Sequence, residues 1–288
     1  MSFNISSSQL PAGSRQAEAL KKLSATLYAI GKEFIVVGAT ARDLLAMQLN
    51  EVSKRKTEDL DITIAVKDWD EFDVVASALT VAGLRRDGKK QQRFYLGKGK
   101  EEFSVDVVPY GGIAGKDGKF TWPKDADFEM SVLGFESALK HTFEITVDDE
   151  YSFRIPTIPS LFILKLISWA DRKSRGIYKD AEDMDFLQSI FYTPNSTDGE
   201  YIAAYNYVDD GDTYCLGATM IAIAISGILP TAELSELKKI VRGEVAEGPA
   251  SKLLTVNISD SKPFETIERA WLCVESVFED KLCQGEQV

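Results

Sequence analysis

Three aspartates on two β-rich stretches are the residues best suited to chemistry. Asp59 and Asp61 lie two residues apart in "DLDITIAV", and Asp106 lies inside "FSVDVVPY". Side chains alternate across a strand, so Asp59 and Asp61 are expected on one face and the apolar residues around them on the other. Neighbouring carboxylates repel, and a carboxylate that leaves water needs a partner. The sequence therefore raises the question of what compensates these charges.

Two interpretations of the three carboxylates follow from their positions. In the first, acids on adjacent strands jointly hold one or two Mg²⁺ or Mn²⁺ ions, which take oxygen ligands. Such ions serve in-line displacement at phosphorus. In the second, Asp59 caps a turn and Asp106 pairs with a basic neighbour. The spacing alone leaves both interpretations open.

A strand, a glycine turn and the start of a helix precede these acids in "VVGATARDLL". Backbone N–H groups at a helix N-terminus bind phosphate, and a glycine lets the backbone come close to a ligand. Gly38 is therefore a candidate phosphate contact, and Thr40 is a candidate N-cap of the helix. The alternative is a tight strand–helix connection that binds nothing.

Two cations in the second half of the chain lie on one face of a mostly apolar helix. Lys165 is followed by Arg172 at i+7, two helical turns along. Such a pair could neutralise the charge of a triphosphate, with Lys179 and Asp180 orienting it and Asp183 on the same face as Asp180. Alternatively, Lys165 reaches to solvent and Arg172 belongs to the solvated run "DRKSR".

The elements that must position these residues change character near residue 156. Short β-rich runs and amphipathic helices alternate before it, with two antiparallel pairs predicted, "RFYLGK" with "FSVDVVPY" and "FEITV" with "YSFRIP". After it the pattern is helical, at 160–173, 179–192, about 200–228, 231–247 and 263–283. We predict an α/β (α+β) core with a mixed sheet over 1–155 and an all-helical domain over 156–288.

Composition excludes several classes of protein. The 288 residues include 44% hydrophobic and 27% charged residues, which is ordinary for a globular protein. Three cysteines at unpatterned spacing and a single histidine, His141, argue against a disulfide framework, a zinc cluster and most histidine-based triads. Without a signal peptide or an apolar run of 18 or more residues, a cytoplasmic location is expected and no membrane span.

The charge distribution bears on partners. A net charge of −12 disfavours general, charge-driven binding to DNA or RNA. Residues 84–100, "LRRDGKKQQRFYLGKGK", are nevertheless strongly basic. This stretch is either an exposed turn with protruding charge or a contact for a polyanionic acceptor such as a tRNA end.

The combined motifs carry a resemblance to a known superfamily. Strand–glycine–helix, then D-x-D, then a single Asp on a neighbouring strand resembles the polymerase-β-like nucleotidyltransferases. "TEDLDI" and "IPSLFILKLISWADRKSRGIYKDAEDMDFL" make the chain similar to the AbiEii/AbiGii-type toxin nucleotidyltransferases over roughly residues 30–190. The chain departs from that pattern at Ala39, where a second Gly or Ser is expected. It also has Leu216-Gly217-Ala218-Thr219 where a Leu-Gly-Arg-Asp-like sequence is expected.

The resemblance implies an activity and a set of roles. It implies transfer of a nucleoside monophosphate from an NTP to an acceptor hydroxyl, with release of pyrophosphate. Asp59 and Asp61 would bind Mg²⁺, and Asp106 would complete the metal site and help to deprotonate the acceptor. The nucleotide, bound in the cleft between the domains, would contact Gly38, Ala39 (through its backbone N–H), Thr40, Lys165, Arg172, Lys179 and Asp180.

The resemblance favours a bacterial toxin that modifies tRNA or a protein and is opposed by an antitoxin. Two alternatives stay open. One is an enzyme of the antibiotic-modifying kind that acts on a small molecule. The other is a nucleotide-binding or interaction protein that has lost catalysis, for which Ala39 and the altered Leu-Gly motif count, whereas the three acids count against it.

Overall fold

The computed structural model describes residues 2–52, 57, 59–123, 125–192, 199–208 and 210–285. Glu58 of "TEDLDI", the first residue of the first predicted domain and the last three of the second lie outside these ranges. The chain divides into two compact units, one up to Thr157 and one from Ile158. Among the described residues, no helix is long and apolar enough to cross a membrane.

The first unit is built on a mixed sheet of eight described strands, with the order β1-β9-β10-β2-β3-β6-β5-β4. The strands are β1 (Ser2–Ile5), β2 (Phe34–Val37), β3 (Asp59–Val66), β4 (Arg85–Arg86), β5 (Arg93–Leu96), β6 (Phe103–Gly111), β9 (Thr142–Val147) and β10 (Tyr151–Pro156). A separate antiparallel ribbon consists of β7 (Lys119–Trp122) and β8 (Asp125–Ser131). The helices of this unit are α1 (Gly13–Ala29), α2 (Gly38–Gln48), α3 (Trp69–Val81) and α4 (Phe135–Ala138).

The two predicted antiparallel pairs are confirmed. β5 pairs with β6, and β9 pairs with β10. The turn between β9 and β10 places Asp148 and Asp149 at positive φ, which Asp tolerates better than most residues. β3 runs antiparallel to β2 and parallel to β6, so the strands that carry the three aspartates are neighbours.

Alternation along β3 and β6 separates a core face from a second, polar face. Leu60, Ile62 and Ile64 have no exposed surface, and Val105 and Val107 of β6 are equally buried. The residues between them project to the other face, where the three aspartates keep part of their surface in water and Thr63 is buried. The predicted alternation of β3 is therefore confirmed.

The second unit contains helices throughout its described part. They are α5 (Ile158–Arg172), α6 (Lys179–Phe191), α7 (Gly199–Ala204), α8 (Thr213–Ile228), α9 (Thr231–Glu247), α10 (Lys252–Thr255) and α11 (Phe264–Gly285). The predicted continuous helix over about 200–228 is wrong, because α7 and α8 are separate. Gly211 has a φ of +71°, and the side chain of Asp212 accepts hydrogen bonds from the N–H groups of Tyr214 and Cys215. This N-cap starts a new helix.

The predicted start of α2 also needs correction. The helix begins at Gly38, directly after β2, and its N-cap is Val37, which makes no side-chain hydrogen bond to the helix. Thr40 is thus the third residue of the helix and not its N-cap. The strand and the helix are joined without an intervening loop, so the first N–H groups of α2 lie at the end of β2.

Candidate active site

The turn from β2 into α2 requires glycine for two reasons. Gly38 has a φ of +67°, a conformation that costs other residues energy. A Cβ built on Gly38 would lie 2.2 Å from Oδ2 of Asp61, a separation that no real contact tolerates. The register explains this approach, since Val37 pairs with Asp61 across β2 and β3. The glycine predicted to contact phosphate therefore lies directly against one of the predicted metal ligands.

The side chain of Thr40 faces the interior. It is 1% exposed, and its Oγ1 accepts a hydrogen bond of 2.7 Å from Nε2 of Gln16, which is fully buried. Oε1 of Gln16 in turn accepts from the N–H of Ala12 at 2.9 Å. A contact between the Thr40 hydroxyl and a phosphate stays a prediction. Gly38 and Ala39, the two residues before Thr40, are less buried than Thr40.

Gln16 was not predicted as part of this region. A signal for it exists in the sequence, because Gln16 occupies a position of α1 that shares the buried face with Ala19, Leu20 and Leu23. A polar side chain at such a position needs a hydrogen-bond partner. The sequence does not identify Thr40 as that partner.

Strand pairing brings the predicted carboxylates to one face. Asp61 and Asp106 are register partners in the parallel pair of β3 and β6, and Asp59 lies two residues before Asp61 on the same face. Asp59 Oδ1 accepts a hydrogen bond of 3.0 Å from the hydroxyl of Thr57. All three aspartates keep intermediate exposure.

A cation already contacts the third carboxylate. Arg93 of β5 is the register partner of Asp106, and its Nε and Nη2 donate to Oδ1 and Oδ2 of Asp106 at 2.7 and 2.6 Å. The side chains are 22% and 15% exposed. The hydrogen bonds to Asp106 raise the pKa of Arg93 above its ordinary value against the opposing effect of burial, and the charges of Asp106 and Asp59 add to this. The alternative considered for Asp106, an ion pair with a basic neighbour, is present.

Arg93 was not predicted as a site residue, although its neighbours on β5 contain a signal. Phe94 and Leu96 are buried, so alternation places Arg93 and Tyr95 together on the opposite face. That face is the polar one, where Tyr95 pairs in register with Ser104 of β6. What the sequence could not supply is the register that sets Arg93 opposite Asp106.

The three carboxylates have the donor chemistry that Mg²⁺ or Mn²⁺ prefers, because they offer oxygen atoms from two neighbouring strands on one face. In the described part of the chain, no group of three or more His, Cys, Asp or Glu side chains is drawn together closely enough to hold a metal ion. The bidentate contact with Arg93 offers one reason, since it occupies both oxygens of Asp106. The donor set fits a divalent cation, with Arg93 as a competitor at Asp106.

The second unit holds Lys165 in a buried ion-pair cluster. The Lys165 side chain is 8% exposed, and its Nζ lies 2.5 Å from Oδ2 of Asp183 and 3.5 Å from Oδ1 of Asp180. Both aspartates are buried at the start of α6. The alternative in which Lys165 reaches to solvent is therefore wrong.

Arg172 belongs to the same cluster. Its Nη2 donates to Oδ1 of Asp180 at 2.8 Å, and its side chain is 28% exposed. Asp180 thus contacts both Lys165 and Arg172, which is the geometry expected of a residue that orients them. Lys179 begins α6 and is exposed. Two cations and two carboxylates compensate one another here, and contact with a nucleotide stays a prediction for all of them.

The altered motif at residues 216–219 packs one helix against another. Leu216, Gly217, Ala218 and Thr219 are all buried within α8. A Cβ on Gly217 would lie 2.1 Å from the carbonyl oxygen of Gln188 in α6, so this glycine allows close contact of the two helices. The hydroxyl of Thr219 donates to the carbonyl of Cys215, one turn earlier in α8.

Comparison with known proteins gives one family match. The family model described as "Nucleotidyl transferase AbiEii toxin, Type IV TA system" matches residues 22–254. No curated protein matches the chain significantly.

Solved structures of low identity align with the chain. They include JHP933 from Helicobacter pylori (14% identity, 98% of this chain and 95% of that chain, TM-score 0.35). ANT(2")-Ia in complex with adenylyl-2"-tobramycin aligns at 13% identity over 59% of this chain and 85% of that chain, with a TM-score of 0.33. A CCA-adding enzyme with ATP aligns at 11% identity over 96% and 84%, with a TM-score of 0.25. Because these TM-scores are low, only the family match supports assigning the chain to a family.

Proposed function

Because the chain belongs to the AbiEii family of nucleotidyl transferase toxins and is thus a nucleotidyltransferase, we propose that it transfers a nucleoside monophosphate from an NTP to an acceptor hydroxyl in a Mg²⁺-dependent reaction. One observation carries the proposal. Asp61 lies against Gly38 at the start of α2 and is the register partner of Asp106. A phosphate-binding helix start and two carboxylates are thereby neighbours on one face of the sheet.

In this proposal Asp59, Asp61 and Asp106 hold Mg²⁺ or Mn²⁺. When bound, such an ion supplies positive charge that neutralises the phosphate oxygens and favours the departure of pyrophosphate. The acids supply oxygen donors from β3 and β6, whose pairing fixes their spacing. Rigid strands hold such ligands more precisely than loops do.

The remaining roles belong to the backbone and to single side chains. The N–H groups at the start of α2, at Gly38 and Ala39, bind phosphate oxygens, which the helix dipole favours. Thr40 contributes its backbone there, because its hydroxyl already accepts from Gln16. Asp106 takes up the proton of the acceptor hydroxyl when the new P–O bond forms, as a positioned carboxylate can.

The helical domain, proposed as residues 156–288, is assigned further nucleotide contacts in addition to those of the core domain, proposed as residues 1–155. Lys165 and Arg172 face the triphosphate in this proposal, and Asp180 holds both in place through its ion pairs. Lys179, exposed at the start of α6, adds positive charge. Asp180 and Asp183 reduce the net positive charge around Lys165 and Arg172. In this proposal the two cations therefore orient the triphosphate more than they attract it.

The favoured biology is a toxin that acts in the bacterial cytoplasm on tRNA or on a protein, with an antitoxin as its opponent. The rival with an observation in its favour is a protein that has lost catalysis. The ion pair of Arg93 with Asp106 supports that rival, because it occupies the carboxylate that the reaction needs. An assay for transfer separates the two.

The test is incubation of the protein with each labelled NTP, Mg²⁺ and, in separate arms, total RNA, total protein and a small-molecule extract. We expect one NTP to label one macromolecular fraction, and Asp61→Asn to abolish that label. Labelling confined to the small-molecule arm would favour an antibiotic-type enzyme. Absence of label with every NTP in every arm would contradict the proposed activity.

A further inference from the structure

Strand pairing positions the ion pair of Arg93 and Asp106, and both side chains are largely buried. The two residues are register partners on β5 and β6, so the backbone ladder itself sets one opposite the other. Both nitrogens of one edge of the guanidinium contact both oxygens of the carboxylate, at 2.7 and 2.6 Å. Such bidentate pairs combine charge with fixed geometry, and partial burial shields this one from water.

Arg93 also lies within electrostatic range of a second aspartate. The charge of Asp59 adds to that of Asp106 in favouring the charged guanidinium. Asp61 is the register partner of Asp106 on the other side, so Asp106 lies between Asp61 and Arg93 in one row across the sheet. A guanidinium at this position compensates carboxylates that would otherwise repel one another.

We propose that Arg93 is a resident counter-cation of the carboxylate site, held on Asp106 by the bidentate pair, and that a divalent cation gains Asp106 only by displacing it. This inference rests on the proposed function, because it takes Asp106 as a metal ligand. Arg93 is a positioning residue: it acts on the site through Asp106.

Competition of this kind has a measurable consequence. When only a fraction of the molecules has Asp106 released from Arg93, the apparent affinity for a metal that needs Asp106 equals the intrinsic affinity multiplied by that fraction. Removal of the guanidinium abolishes the competition and also takes away a positive charge that favours the charged forms of Asp106 and Asp59. The metal should then bind more tightly, and the metal-free protein should be less stable.

The test uses Mn²⁺ alone, without nucleotide, followed by electron paramagnetic resonance and calorimetric titration of the full chain. In Arg93→Gln, Mn²⁺ should bind about tenfold or more tightly if roughly one tenth of the wild-type molecules have a released Asp106. Thermal unfolding in the presence of a chelator should begin at a lower temperature than in wild type. Added Mn²⁺ should raise the melting temperature of the variant more than that of wild type.

Arg85→Gln is the matched control. Arg85 lies on β4, is the register partner of Tyr95 and contacts Glu102 at 2.7 Å, so the same change removes an arginine from the same edge of the sheet but not from Asp106. Its Mn²⁺ affinity should equal that of wild type. If Arg93→Gln does not fold, Arg93→Lys replaces it, since lysine keeps the charge but loses the two-pronged contact, and a smaller gain in affinity is expected.

A double variant tests whether Arg93 acts on metal binding through Asp106. Arg93→Gln should bring a much smaller gain in Mn²⁺ affinity when Asp106→Asn is already present, because only the charge interaction of Arg93 with Asp59 is then removed. Unchanged affinity in Arg93→Gln, an equal gain in the Asp106→Asn background, or absence of Mn²⁺ binding in every protein would overturn the inference. Tighter Mn²⁺ binding in Arg93→Gln together with no nucleotide transfer by wild type would contradict the proposed function and leave the inference intact.

Discussion

Two clusters of charged side chains in this molecule differ in how far they are buried and in how their charges are compensated. On the sheet face of the first unit, Asp59, Asp61 and Asp106 keep part of their surface in water, with Arg93 bound to one of them. In the second unit, two cations and two carboxylates around Lys165 compensate one another, and three of the four side chains are almost completely buried.

The difference concerns how much each cluster can change. A buried ion pair has lost its hydration, so removal of one partner strands the other in a medium that cannot solvate it. A partly exposed carboxylate can exchange one cation for another at lower cost. We therefore expect the second-unit cluster to determine stability and the sheet face to determine chemistry.

The largest effect is expected from Lys165→Ala. It leaves Asp183 buried without its ammonium partner, and breaking such a pair costs about 3–5 kcal/mol. Urea unfolding measures this loss, and the double variant Lys165→Met/Asp183→Leu should recover much of it. NTP affinity should fall as well. If NTP binding is unchanged in the folded variant, the triphosphate role of Lys165 is wrong and the cluster is purely structural.

Asp106→Asn should separate chemistry from binding on the sheet face. It preserves shape but removes the charge that accepts the proton, so transfer should fall about 100-fold or more, the scale of losing general-base help. Calorimetric NTP titration should show nearly unchanged binding, whereas Asp61→Asn should impair both binding and transfer. Full transfer activity in Asp106→Asn would show that this carboxylate serves only its ion pair with Arg93, and the proposed mechanism would fail.

Gly38→Ala tests the close approach between the helix start and Asp61. The positive φ alone should cost about 1–2 kcal/mol of stability, and the new Cβ must also displace the carboxylate from 2.2 Å. Gly31→Ala is the control, because Gly31 has a φ of +69° but no atom within 4 Å of its Cβ position. Mn²⁺ binding should weaken in Gly38→Ala only. Equal Mn²⁺ affinity in both variants would mean that Asp61 does not depend on this turn.

The smallest effect concerns the hairpin that carries Arg93. Asp87 accepts from the N–H groups of Lys89 and Lys90 and from the hydroxyl of Tyr95, which lowers its pKa from 3.8 to about 2. Because the folded pKa is depressed, the stabilisation is present above about pH 4 and is lost as the pH falls towards 2. Amide exchange between residues 87 and 93 should quicken in this window. In Asp87→Asn that pH dependence should disappear, and its persistence would assign it to another group.

Much of the sheet follows from local patterns, whereas its pairings do not. Alternation in "DLDITIAV" and "FSVDVVPY" correctly predicts which face carries the aspartates, because period two is a local property of the chain. The partnership of Arg93 with Asp106 depends on the register of β5 against β6, which only the folded sheet defines. The ribbon of β7 and β8 was missed although "KFTW" and "DADFEMS" both alternate polar and apolar residues, so a local signal was present there.

In the helical unit, too, some features could be predicted from the sequence and others could not. The sequence shows that Lys165 lies in an apolar helix and that Asp180 and Asp183 are three residues apart. It does not show that the two helices contact each other and so bury the lysine. The break before α8 had a local signal in Gly211 and the capping Asp212, and the apolar run beyond it outweighed that signal in the prediction.

The strand order has a consequence for how the protein is made. β1 pairs with β9, so Ser2 cannot pair before Glu144 has been synthesised, and β2 is flanked by β10 as well as by β3. Pairings between such distant segments form slowly, because a long loop must close before they are rewarded. Until Pro156 has been synthesised, β2 lacks one neighbour and an unpaired edge remains open to association with other chains. The nascent chain therefore exposes an unpaired strand edge even after the strands that carry Asp59, Asp61 and Asp106 have been synthesised.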